Sequence, residues 1–202
     1  MKIAKVQIPT IVKSLAITAP LLLTTPALKA QENNTQDCFI KSNTTCITEE
    51  PDSMLESKPL KVGDDYIYPA VVIDLSEGKL YHYDLEGYLI NSYNVATGKK
   101  STPTKTGLRR ITHIENYPYK SAPRTTKRYK NPNDYGPHVI CLETIDIKTG
   151  KSLGSDGQFI HGTNQPNSIG KKASKGCIRL HNEDVEKLIE NVYKEQYVLI
   201  RE

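Results

Sequence analysis

The chain has no tryptophan and only two phenylalanines. Its core must therefore come from Val, Ile, Leu and Tyr, and the twelve tyrosines suit a sheet with one face toward water. A long apolar run is also missing. The stretch Ser14 to Leu23 is too short to cross a bilayer. With Lys2, Lys5 and Lys13 around it and Ala27-Leu28-Lys29-Ala30 behind it, the segment reads as a secretory leader covering residues 1–30. Export across the inner membrane to the periplasm or cell wall is expected, with no stable membrane insertion once the leader is removed. No internal repeat and no phosphate-binding glycine loop are present. His82, His113 and His138 are isolated, and Cys38 and Cys46 lack the partners of a zinc site, so neither a metal nor a cofactor is expected.

Acidic residues are scarce in one region. Between Lys99 and Lys130 there are ten Lys or Arg against the single acid Glu115. That bias is local. The formal charge of +4 includes four lysines and no acid within residues 1–30, leaving 4 − 4 = 0 for the remainder. A whole-protein case for nucleic-acid binding fails on that sum, whereas a local basic face suits a substrate carrying carboxylates.

Residues 31–65 are polar at first and lack apolar periodicity, which predicts a linker, with one domain over 66–202. Ala70–Leu75, Leu80–Tyr83 and Tyr88–Val95, separated by Ser76-Glu77-Gly78-Lys79 and Asp84–Gly87, predict a β-meander. Residues 115–135, with Pro118, Pro123 and Pro132, predict a long loop. Strand character returns at Val139–Ile147 and at Gln158–His161. Val185, Leu188, Ile189 and Val192 form a helical stripe, with Asn182 as the expected N-cap and a last strand at Tyr197–Ile200. The fold class is mainly β with a short helix near the C-terminus.

Chemistry concentrates late in the chain. His161-Gly162-Thr163 leaves a strand, and Ser174-Lys175-Gly176-Cys177-Ile178-Arg179 follows. A cysteine becomes a nucleophile as its thiolate, which a neighbouring imidazole can generate and a nearby guanidinium can favour. Gly176 lets backbone approach a substrate closely and free N–H groups to hold an oxyanion. By contrast, Cys141 stands in the apolar run His138-Val139-Ile140-Cys141-Leu142 and reads as a packed core thiol.

This pattern closely resembles the catalytic motif of the L,D-transpeptidases, the YkuD-type domain. Ala96-Thr97-Gly98-Lys99 and Thr102-Pro103-Thr104-Lys105-Thr106-Gly107 resemble that family's first-half signature. The resemblance implies a β-sandwich-like catalytic domain with Cys177 as nucleophile, His161 as general base and the Gly162 carbonyl orienting the imidazole. It implies that Arg179, Ser174, Gly176 and Thr163 support the loop or contact substrate. The implied partners are peptidoglycan peptide stems. A tetrapeptide donor would lose D-alanine and form a 3→3 cross-link. Water as acceptor would make the protein a carboxypeptidase, and the lysine of a wall-anchored lipoprotein would make it a tether. A non-catalytic wall-binding module would want Cys177 or His161 missing, and a papain-like protease would want the Cys before the His.

Overall fold

The computed structural model describes residues 56–202. The expected leader, Cys38, Cys46 and most of the expected linker lie outside the described residues. The fold begins with a hairpin, β1 (Leu60–Val62) and β2 (Asp65–Ile67), in which Lys61 faces Tyr66. Leu60, Val62 and Ile67 pack with Leu108 and Ile145. The boundary expected at residue 66 therefore cuts through a packed hairpin. Three-residue strands around the polar turn Gly63-Asp64 carry too little alternation to be seen in sequence.

The predicted meander follows as β3 (Val71–Asp74), β4 (Lys79–Tyr83) and β5 (Leu89–Asn94), all antiparallel neighbours. Aspartates set its turns. Asp74 Oδ1 accepts the N–H groups of Ser76 and Glu77 at 3.0 and 3.1 Å, and Asp84 Oδ1 accepts those of Glu86 and Tyr88 at 3.0 and 2.8 Å. The short β6 (Thr97–Gly98) leads on to β7 (Gly107–Asn116), the longest strand described.

The loop predicted at 115–135 spans residues 117–137, since β7 runs on through Glu115 and Asn116, and it holds a single helical turn, α1 (Lys127–Lys130), and a 3-10 turn at Pro132–Tyr135. Next come β8 (His138–Ile145), β9 (Ser152–Gly154), β10 (Phe159–His161), β11 (Lys172–Ser174), β12 (Ile178–Arg179), α2 (Asn182–Ile189) and β13 (Tyr197–Arg201).

The main sheet runs β12-β10-β8-β7-β13-β3-β4-β5, with β9 paired to β8. β13 is antiparallel to β7 and parallel to β3, so the last strand joins the meander to the half bearing His161 and Cys177. One face of the sheet, with Val71, Ile73, Leu80, Ile111, Ile140, Leu142, Ile160, Ile178, Val198 and Ile200, closes around Val185, Leu188 and Val192 from α2 and the segment after it. Each fully buried aliphatic side chain stabilises this core by about 1.5–3 kcal/mol. α2 buries the predicted stripe, but Asn182 does not cap it. His181 holds the N-cap position, and Asn182 is the first helical residue, its side chain used elsewhere.

Candidate active site

Strand pairing brings the two halves of the late motif together. β10 and β12 are parallel neighbours with Ile160 opposite Ile178 and His161 opposite Arg179. Both isoleucines point into the core and are fully buried. Strand alternation then sends His161 and Arg179 to the opposite face. Cys177, one residue before β12, continues that register beside Phe159. β8 pairs next to β10, so Val139 and Cys141 share this face and pack with Tyr119, Ala122, Tyr135 and Phe159.

The imidazole of His161 is held on two sides. Nδ1 donates to the Gly162 carbonyl at 2.5 Å, which makes Nε2 the unprotonated nitrogen. The Tyr135 ring lies against it, with ring centroids 4.7 Å apart. Burial is the main influence on this histidine and pushes its pKa down to about 4, the Gly162 bond opposing.

The Cys177 thiol donates to the Gly157 carbonyl at 3.9 Å. Burial is again the largest influence and raises the thiol's pKa. The Phe159 backbone N–H and the Arg179 charge pull the other way without overcoming it. The Arg179 charge favours the thiolate, as expected, but does not outweigh burial. Burial thus favours the uncharged form of each group.

Ser174 is fully buried, and its hydroxyl is committed twice: it donates to the Cys177 carbonyl at 2.6 Å and accepts the Gly176 N–H at 3.0 Å. Of the two roles expected for it, shaping the loop fits this burial and substrate contact does not. By the same bond the Gly176 N–H itself serves the loop. Gly176 itself has φ +114°, a conformation that strains other residues. Thr163 is also buried and local. Its N–H donates to Asn182 Oδ1 at 2.8 Å, and its Oγ1 accepts the Gln165 N–H at 3.0 Å. Arg179 is half-buried; Nη1 donates to Gln165 Oε1 at 3.2 Å, while Nε is buried with no protein partner.

Several positioning residues were not visible in the sequence. Thr104 ties the earlier signature to the nucleophile loop, accepting the Gly98 N–H at 2.8 Å and donating to the Gly176 carbonyl at 3.0 Å. Gly136 and Gly162 meet backbone to backbone. A Cβ on Gly162 would come within 2.4 Å of Asn182 Oδ1 and 2.9 Å of Pro137 Cδ. The buried Tyr119 hydroxyl donates to the Gly136 carbonyl at 2.5 Å and so fixes this contact from the loop side.

The walls around the thiol are charged and paired. Arg128 grips the buried Glu115 with Nε–Oε2 and Nη2–Oε1 distances of 2.6 and 3.0 Å and lies 4.7 Å over the Phe159 ring. Burial pushes the Glu115 carboxyl up, but hydrogen bonds from Arg128 and His113 outweigh it and hold the pKa below its ordinary value. His113, Glu115 and Cys141 place potential metal donors within 4.8 Å of one another. They make a poor ligand set, because Glu115 is spent on Arg128 and burial pushes the Cys141 thiol up to about 12.

Comparison with known proteins agrees with this geometry. Residues 68–200 match the family model of the L,D-transpeptidase catalytic domain. YkuD of Bacillus subtilis (strain 168), assigned to the L,D-transpeptidases, is 33% identical over 123 residues, covering 60% of this chain and 60% of YkuD. ErfK/SrfK of Escherichia coli (strain K12), assigned likewise, is 26% identical over 132 residues, covering 63% of this chain and 42% of its own length. The chain thus spans three fifths or less of these two relatives. Among solved structures, a point mutant of the Enterococcus faecium L,D-transpeptidase superimposes with a TM-score of 0.50 at 20% identity, over 67% of this chain and 50% of that one, a likeness of fold. With the family model covering most of the described residues, the chain belongs to the L,D-transpeptidase family.

Proposed function

We propose that this protein is a cysteine acyltransferase that cuts the L,D bond of a peptidoglycan tetrapeptide stem and passes the acyl group to an amine. One observation carries the reading. The half-exposed Cys177 sits on a clamped loop beside the strand of His161, whose Nδ1 is tied to Gly162 so that Nε2 can take a proton. In the first step Cys177 Sγ bonds to the carbonyl carbon of the third stem residue as its proton passes to His161 Nε2. Collapse of the tetrahedral adduct breaks the bond to D-alanine, whose amine leaves with that proton. An acceptor amine then attacks the thioester, its proton passes through His161 to Cys177, and the thiol is restored.

The oxyanion falls to loop N–H groups other than that of Gly176. Arg179, with its unpartnered Nε, supports the reading by offering a cation to a stem carboxylate. A second stem gives the 3→3 cross-link; water or a lipoprotein lysine would use the same residues. Such a substrate places the protein outside the cytoplasm, in the periplasm or wall, as the expected leader does. The test is incubation with a purified disaccharide-tetrapeptide and mass analysis of products. Release of D-alanine with 3→3 dimers is expected. Intact substrate in the presence of the folded, reduced protein overturns the proposal.

A further inference from the structure

Two stretches of the chain, residues 87–114 and 157–182, contain no aspartate or glutamate. The fold lays them side by side. β6 and β11 pair in parallel, Lys172 opposite Thr97 and Ser174 opposite Gly98. The Thr97 N–H donates to the Lys171 carbonyl at 3.2 Å and the Lys99 N–H to the Ser174 carbonyl at 3.1 Å. Thr102 and Thr104 reach across to the carbonyls of Ser174 and Gly176. This stitching brings together the segments that bear Lys99, Lys100, Lys105, Lys171, Lys172 and Lys175, all six of them exposed. None of the six forms an ion pair among the described residues. In the 117–137 loop, by contrast, Lys127 and Arg128 are paired with Asp134 and Glu115. Six exposed lysines on adjoining segments, none of them in an ion pair, raise the local potential, and they attract a polyanion more than any single carboxylate.

We infer that this lysine surface is a docking site for the carboxylate-bearing peptidoglycan polymer itself, separate from the catalytic groups. The inference rests on the reading of the protein as a stem-peptide acyltransferase. Position favours the substrate polymer over a free-standing anion. Lys175 lies two residues before Cys177, so whatever covers the lysines must be continuous with, or compatible with, whatever fills the cleft. A wall polymer meets that condition, because stems next to the one being cut carry carboxylates of their own. The surface would hold the protein on its polymer between turnovers and leave the chemistry of one stem untouched.

The test compares the full chain with K99Q/K100Q/K171Q/K172Q, which spares Lys105 and Lys175 near the clamped loop. Co-sedimentation uses insoluble peptidoglycan stripped of phosphate polymers, across a sodium chloride series. The apparent affinity should fall at least about tenfold in the variant at low salt, and the parent's binding should weaken steeply as salt rises. Turnover of the soluble monomeric disaccharide-tetrapeptide should stay within about twofold of the parent, as expected when rim charges act on encounter rather than chemistry. Equal sedimentation of parent and variant overturns the inference. So does an equal loss on the soluble substrate, which would place the lysines in the catalytic site. Binding confined to soluble polyphosphate, with none to the stripped wall, overturns it as well. If the parent proves inactive on the soluble substrate, the acyltransferase reading fails, while lysine-dependent binding to the stripped wall would still stand.

Discussion

Removing the Ser174 hydroxyl tests whether the nucleophile loop is clamped from within. In Ser174→Ala the buried Gly176 N–H loses its acceptor and the Cys177 carbonyl loses its donor. An orphaned buried polar group costs about 1–3 kcal/mol, and the part-buried carbonyl costs less because water can reach it. Together they give a loss of about 2–3 kcal/mol. With a urea m-value of about 2 kcal/mol/M for a domain of this size, the unfolding midpoint should fall by about 1–1.5 M. Turnover should fall too, since the loop carrying Cys177 loses its internal tie. A substrate-contact role makes the opposite prediction of a raised KM at unchanged stability. An unchanged midpoint, with or without a KM effect, would refute the clamp. A double-mutant cycle with Thr104→Val sharpens the test. Both hydroxyls hold Gly176, so their effects should be non-additive by about 0.5–1 kcal/mol.

Cys177→Ala should abolish turnover at near-parental stability, whereas Cys141→Ala should cost about 1–2 kcal/mol in urea and stay active; the reverse pattern would exchange their roles. Iodoacetamide labelling of Cys177, followed by intact mass, should accelerate continuously with pH through the ordinary thiol range, because burial raises this pKa. A rate already flat between about pH 5 and 7 would mean a standing thiolate–imidazolium pair. Burial lowers His161 from 6.5 to about 4, so the unfolded chain binds its proton first. The stability tied to neutral His161 is present above about pH 6.5, is lost as pH falls through about 4, and amounts to about 3 kcal/mol. His161→Gln should flatten that part of the profile in urea titrations at several pH values. Arg128→Met leaves Glu115 buried without its main partner and should cost about 3–5 kcal/mol at neutral pH, while Glu115→Gln combined with Arg128→Met should recover part of it.

The meander, the helix stripe and the burial of Cys141 were legible because each depends on local pattern. Val71 to Leu75 and Leu80 to Tyr83 are short apolar runs bounded by Asp and Gly turns. Val185, Leu188 and Val192 repeat at helical spacing and are all buried. What escaped depends on contacts across the chain. Thr104 and Gly176 are 72 positions apart, and nothing near Thr104 announces that its hydroxyl will hold the nucleophile loop. Asn182 had the residue type of an N-cap, yet its amide oxygen accepts the Thr163 N–H nineteen positions back. Local propensity and tertiary demand competed for one side chain, and the tertiary bond won. The hairpin at residues 60–67 escaped for another reason: its few apolar side chains matter only because Leu108 and Ile145 wait for them.

The burial of His161 also follows from this architecture. His161 is walled in by Tyr135, the Gly136–Gly162 contact and Asn182, and that enclosure fixes its tautomer at the expense of its basicity. Burial of the imidazole disfavours its charged form, because an imidazolium there would be poorly solvated. Transfer of the proton then becomes favourable only as negative charge moves onto a bound carbonyl oxygen, where loop N–H groups and Arg179 can meet it. Within the proposed chemistry, reactivity is therefore coupled to occupancy of the cleft.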